Sequence, residues 1–231
     1  MPSETDVSPV AAWPPLDPIE ARILGCLVEK AAITPEAYPL TENAIVAACN
    51  QKTSREPVMQ LEPGAVAHAL RAMEVRGLVR VAPVSQRALR YEHRFDAAYG
   101  TTARQRAVLC VMLLRGPQTI AELLTRTERI GAFPGQDDVR DTLDRLVARE
   151  PPLVACIGRA AGQREDRYMH LLCGDVDVEA FAAAAAESAR SDSPARVELH
   201  ERIDGLEADL RELRAQLAEL RRRVDDSAGP G

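Results

Sequence analysis

The sequence predicts a mainly α, α+β protein in which two winged helix-turn-helix domains stand in tandem before a C-terminal coiled-coil helix. Three observations predict it. An order of three helical segments and two alternating strands occurs twice. Both copies end on an Arg-Tyr-x-His motif, Arg90-Tyr91-x-His93 and Arg167-Tyr168-x-His170. An aliphatic seam spaced alternately four and three residues apart closes the chain.

Residues 1–15, rich in Pro and Ser, predict a disordered arm, and the first winged-helix domain spans 16–97. Its first helix begins in "LDPIEARILGCLVEKA", where Asp17 is a good N-cap, Pro18 suits the first turn and Glu20 completes a capping box. Ile23, Leu24, Leu27 and Val28 form its apolar face. In "LTENAIVAACNQ", Thr41 caps a second helix and Leu40 can staple against Ile45. Pro63 opens the third, Val66, Leu70 and Met73 face the core, and Gly77 ends it. The period then changes to two. "LVRVAP" and "ALRYEHRF" read as hairpin strands, with Leu89, Tyr91, His93 and Phe95 on one side and Arg90, Glu92 and Arg94 on the other.

The second domain spans 98–174. Thr102 and Gln105 start its first helix, Thr119 and Glu122 stand in capping-box spacing before the second, and Val139, Leu143, Leu146 and Val147 give the third an apolar face. "LVACIG" and "DRYMHLL" are its strands. With the first helices aligned, Arg22 falls opposite Arg106 and Cys26 opposite Cys110. A flexible linker is expected over 175–196 and a coiled coil over 197–226. The seam is Leu199, Ile203, Leu206, Leu210, Leu213, Leu217, Leu220 and Val224. With Ile203 at position a, Arg202 faces Glu207 and Asp209 faces Arg214, the pairing of a parallel homodimer; a helix lying back on the body is the alternative.

These residues resemble the YceH-like family of bacterial proteins. The resemblance covers about residues 16–175 and is carried by "LDPIEARILGCLVEK", "YPLTENAIVAACNQKTSREPVM", "RYEHRF", "LLRGPQTIAELLTR" and "RYMHLL". It implies a pair of winged helices in a cytoplasmic protein, often with a coiled-coil tail, and brings no activity, ligand or partner.

Composition narrows the chemistry. The net charge of −6 belongs to the tail, since residues 175–231 carry eight basic and fourteen acidic side chains. No domain has the basic excess of a non-specific nucleic-acid coat protein. Five scattered cysteines without a Cys-x-x-Cys pair argue against disulfides or structural zinc. The acid- and proline-rich start is unlike a signal peptide, and no apolar run is long enough to span a bilayer, so a cytoplasmic protein is expected.

The run "ACNQKTSREPVM" looks most like an active site. Yet Cys49, the one tempting nucleophile, shares a helix face with Ile45 and Ala48 and should point inward. Val58 and Met59 are expected to anchor the loop, leaving Lys52 and Arg55 without a structural reason. No enzyme, cofactor or metal is expected. The reading taken is a dimeric protein-interaction or scaffold module with no membrane association. The alternative is a DNA-binding regulator using the first domain, with Lys52, Arg55, Arg71, Arg76, Arg87 and Arg90 as candidate nucleic-acid contacts. Against DNA stand Asp137, Asp138, Asp141 and Asp144 in the third helix of the second domain.

Overall fold

In this computed structural model, residues 14–83, 88–159 and 165–176 are described. Most of the predicted arm, Arg87, nearly all of the linker and the whole heptad seam lie outside the described residues.

The first three helices are α1 (Pro18–Ile33), α2 (Glu42–Cys49) and α3 (Pro63–Val75). The expected caps form. Asp17 accepts from Ile19 and Glu20 amides while the Glu20 carboxylate returns to the Asp17 amide, and Thr41 accepts from Ala44. Strands β1 (Leu40–Thr41), β2 (Val79–Val81) and β3 (Arg90–His93) make an antiparallel sheet in the order β1-β3-β2. A short α4 (Phe95–Tyr99) leads into the second half, α5 (Ala103–Arg115), α6 (Ile120–Thr127) and α7 (Gln136–Val147), followed by the antiparallel pair β4 (Val154–Gly158) and β5 (Arg167–His170). Helix α6 begins with the predicted capping box, Thr119 with Glu122, and at the start of α5 Thr102 and Gln105 form one as well. The described chain is thus α+β, dominated by helix, with two small antiparallel sheets.

Several local expectations are corrected. β1 was not foreseen: two residues before α2 pair with β3, Leu40 opposite Tyr91. The second half repeats this with a single bridge of Gln118 to Tyr168, closed by amide-to-carbonyl bonds of 3.0 and 2.8 Å. Phe95 leaves the strand because it opens α4, where its ring packs 5.0 Å from that of Tyr99. Leu89, placed on the inner side of a longer strand, is exposed because β3 starts only at Arg90. Val147 also faces solvent at the last residue of α7.

One apolar cluster runs through residues of both halves, from Ile23, Leu24 and Leu27 to Leu109, Met112 and Leu143. Helices α1 and α5 meet at Gly25, where a Cβ would stand 2.9 Å from Leu114 Cδ2. The missing side chain allows this approach, and the Cys110 thiol donates to the Gly25 carbonyl at 3.3 Å. The Leu16 amide donates to the Leu172 carbonyl at 2.8 Å, so the start of α1 is tied to the chain just beyond β5. Among the described residues no helix is long and apolar enough to cross a membrane.

Candidate functional site

The loop from Asn50 to Pro57 is built around one buried cation. Arg55 is 5% exposed, and all five of its N–H donors are engaged. Nη1 and Nη2 grip the two oxygens of Glu29 at 3.0 and 2.5 Å, a bidentate pair between the loop and α1. Nε donates to the Ala48 carbonyl at 3.1 Å, Nη1 also to the Ser54 carbonyl at 2.9 Å, and Nη2 to Gln51 Oε1 at 2.8 Å. Burial alone would lower the Arg55 pKa, but the Glu29 hydrogen bond and charge outweigh it and raise the value.

Two further side chains fasten the loop. Asn50 makes a reciprocal amide pair with Leu61, donating to its carbonyl at 2.9 Å and accepting from its amide at 2.7 Å. Arg22, buried in α1, donates to the carbonyls of Cys49 at 3.3 Å and Pro57 at 2.7 Å. Burial lowers its pKa. Val58 is exposed and Met59 only half-buried, so the expected apolar anchor is replaced by guanidinium-to-carbonyl bonds.

Cys49 is fully buried, as its helix face predicted. It shares a hydrogen bond with Cys26, and that bond together with burial pushes the Cys49 thiol far up, in spite of the Arg22 and Arg55 charges nearby. Cys110, in the same core, is raised by burial. Thiols held this way stay protonated and are poor nucleophiles. Among the described residues no group of three or more His, Cys, Asp or Glu is placed to hold a metal ion.

The outer side of the loop opens on a cleft of about 430 Å³ between the end of α1, the loop, α5 and α6. Lys30, Arg115, Arg126 and Arg129 converge on it. Arg115 Nη2 donates to Ser54 Oγ at 2.5 Å, and Ser54 itself has a positive φ of 61°, an uncommon conformation for a residue with a side chain. The Arg115 guanidinium is pushed down by burial and then by the like charge of Arg126.

Three of the candidate nucleic-acid contacts bond groups of their own chain. Arg55 is an internal ion-pair partner. Arg76 bonds Glu20 Oε2 at 2.7 Å and the Pro14 carbonyl at 2.5 Å. Arg90 donates to the Pro39 carbonyl at 2.7 Å, and Arg167 donates at 2.9 Å to Pro117, the matching residue of the second half. Lys52 and Arg71 are exposed and in no ion pair among the described residues. Sequence reasoning missed Glu29 and the cleft. The repeated Pro-x-Thr of Pro39–Thr41 and Pro117–Thr119 was an available signal for the third-strand segments that Arg90 and Arg167 clamp.

Comparison with known proteins places this arrangement in a family. Residues 16–163 match the family described as "Protein of unknown function, DUF480". The UPF0502 protein of Stenotrophomonas maltophilia strain R551-3 is 52% identical over 217 residues, 94% of this chain and 99% of its own length. A UPF0502 protein of Xanthomonas axonopodis pv. citri is 51% identical over 224 residues, covering 96% of this chain and 98% of that protein. With a family match over most of its length and relatives of half-identical sequence that it spans almost end to end, the chain belongs to the DUF480/UPF0502 family of bacterial proteins.

Proposed function

We propose that the protein is a non-enzymatic protein-interaction module, built from two winged helices and dimerised by its heptad tail. The winged-helix reading, and with it the YceH-like resemblance, is supported by the three-helix and hairpin order of both halves. A third strand segment joins each hairpin just before the second helix. The observation that carries the functional reading is the fate of the first half's arginines. Arg55, Arg76 and Arg90 bond groups of their own chain, which removes three of the six candidate phosphate contacts.

Helix α7 supports the same reading from the other half. Asp137, Asp141 and Asp144 are exposed along it, where they repel phosphate and suit a basic protein segment. The alternative, a DNA-binding regulator, draws on Lys52 and Arg71, which remain exposed on the first half. A salt titration on generic duplex DNA decides between them. The module reading expects no salt-dependent binding at low ionic strength. Binding whose salt slope flattens in Lys52→Ala or Arg71→Ala overturns it in favour of DNA. Dimerisation is tested by sedimentation of a chain ending near residue 195, expected to be monomeric; a dimer there rejects the seam as the main interface.

A further inference from the structure

We propose that the cleft between the Asn50–Pro57 loop and α6 is a binding site for a small phosphate-bearing molecule, held by Arg115, Arg126, Arg129 and Lys30 with Ser54 and Thr53 at its rim. This site is independent of the interaction surface proposed above.

Its charge is unbalanced. Four cations line the cleft against two carboxylates, those of Glu29 and Glu128. Glu29 is already gripped on both oxygens by Arg55, so its 3.9 Å approach to Lys30 leaves that ammonium weakly neutralised. Arg126 reaches Glu122 at 3.4 Å along α6. Arg115 hydrogen-bonds the neutral hydroxyl of Ser54 and forms no ion pair among the described residues, although the Glu29 and Glu56 charges reach it, and Arg129 is exposed and in no ion pair among the described residues. Like charges brought together with fewer acids than cations raise the local potential, and an anion entering the cleft relieves it.

The chemistry points to phosphate more than to a simple halide or carboxylate. Guanidiniums present planar pairs of donors that match phosphate oxygens, and Lys30 adds a point charge. The hydroxyls of Thr53 and Ser54 supply further bonds from the loop. Ser54 is held in its left-handed conformation from both sides, its carbonyl accepting from Arg55 and its hydroxyl from Arg115. Arg55 therefore fixes the rim without entering the site.

The size and the walls describe the rest of the ligand. About 430 Å³ exceeds the volume of a bare phosphate and falls in the range of small-molecule sites. Ile33 and Ile130, both half-buried, offer an apolar wall, and no aromatic ring is among the described residues lining the cleft. A sugar or aliphatic phosphate ester fits this lining. A nucleobase would find no ring to stack on.

The test is calorimetric titration of the full chain with glycerol 3-phosphate, using glycerol and sodium chloride at matched ionic strength as controls. Saturable binding is expected for the phosphate ester and absent for both controls. Arg129→Gln carries the test, because that side chain is exposed and its replacement should leave thermal unfolding unchanged. It should weaken binding by about tenfold, the loss of one charge-assisted hydrogen bond, as should Arg115→Gln, whereas Arg71→Gln on α3 should change nothing. No saturation beyond the chloride control overturns the proposal, as does equal weakening by Arg71→Gln or undiminished binding by Arg129→Gln. A short duplex that binds through Arg129 while glycerol 3-phosphate does not would also overturn it, assigning the cleft to a nucleic-acid backbone.

Discussion

The two halves share their order of elements but hold the connection between second and third helix by opposite means. In the first half the loop is fastened by buried or half-buried polar groups: Arg55 on Glu29, Arg22 on two carbonyls, and Asn50 on Leu61. In the second half the corresponding segment closes on its own backbone, with Ile130 and Gly131 amides both donating to the Thr127 carbonyl at 2.8 Å. Phe133 then plugs it, with Arg104 lying 5.6 Å over the ring. With Arg22 aligned on Arg106, the position of Glu29 is taken by Leu113, a buried aliphatic residue. The same fold problem thus has a polar and an apolar solution within one chain. The polar solution is rich in functional-looking side chains for structural reasons.

The largest effect should come from breaking the polar solution. Removing one partner of a buried ion pair leaves the other uncompensated, at a cost of about 3–5 kcal/mol. Glu29→Leu, which copies the second half's choice, and Arg55→Met should each lose that much in urea unfolding. The double variant should recover a large part of the loss, because neither charge is then left buried. Additive losses would show that the pair is not the unit holding the loop.

The equivalent histidines offer a second comparison. His93 is half-buried and its Nδ1 accepts from the Phe95 amide at 3.3 Å. His170 is 3% exposed and its Nδ1 has no hydrogen-bond partner among the described residues. Burial pushes both down to about 4, aided at His93 by the Arg106 charge. A histidine whose pKa is lowered on folding is kept neutral in the native state, while the unfolded chain takes up a proton below about pH 6.5. Stability is therefore full above pH 6.5 and falls as the pH drops towards 4. The lowering of His170 from 6.5 to about 4 corresponds to about 3 kcal/mol when the fall is complete. His170→Leu should flatten this acid limb in unfolding curves taken across that window; an unchanged limb would assign it to other groups.

Helix caps, helix faces and hairpins were legible in the sequence because each is a local pattern: Asp17 with Glu20, Thr102 with Gln105, and Val66 with Leu70 and Met73. What escaped was non-local. Nothing near Arg55 reveals that Glu29, 26 residues earlier, will meet it, and an arginine in a polar loop looks the same in sequence whether it faces water or a buried carboxylate. The cleft escaped for the same reason, since Lys30, Ser54, Arg115 and Arg129 come from four segments. The two-residue β1 and the Gln118 bridge are too short to show a period.

What the halves have in common should show the smallest effect. Arg90 and Arg167 open the same motif and make the same bond, to the carbonyl of the proline preceding each third strand segment. That repetition favours a shared structural duty over a nucleic-acid contact confined to the first half. Arg90→Ala should then lose about 1 kcal/mol, a charge-assisted bond discounted for its half-buried setting, and Arg167→Ala somewhat more, since Arg167 also pairs with Glu122 at 3.1 Å. Lys52→Ala and Arg71→Ala, exposed and outside any ion pair among the described residues, should stay within about 0.5 kcal/mol of the parent chain. Equilibrium unfolding of the four variants checks the ranking. If Arg90→Ala proves neutral while Arg167→Ala does not, the motif serves the halves differently. Arg90 then returns, with Lys52 and Arg71, to the set of side chains that a nucleic-acid partner could use.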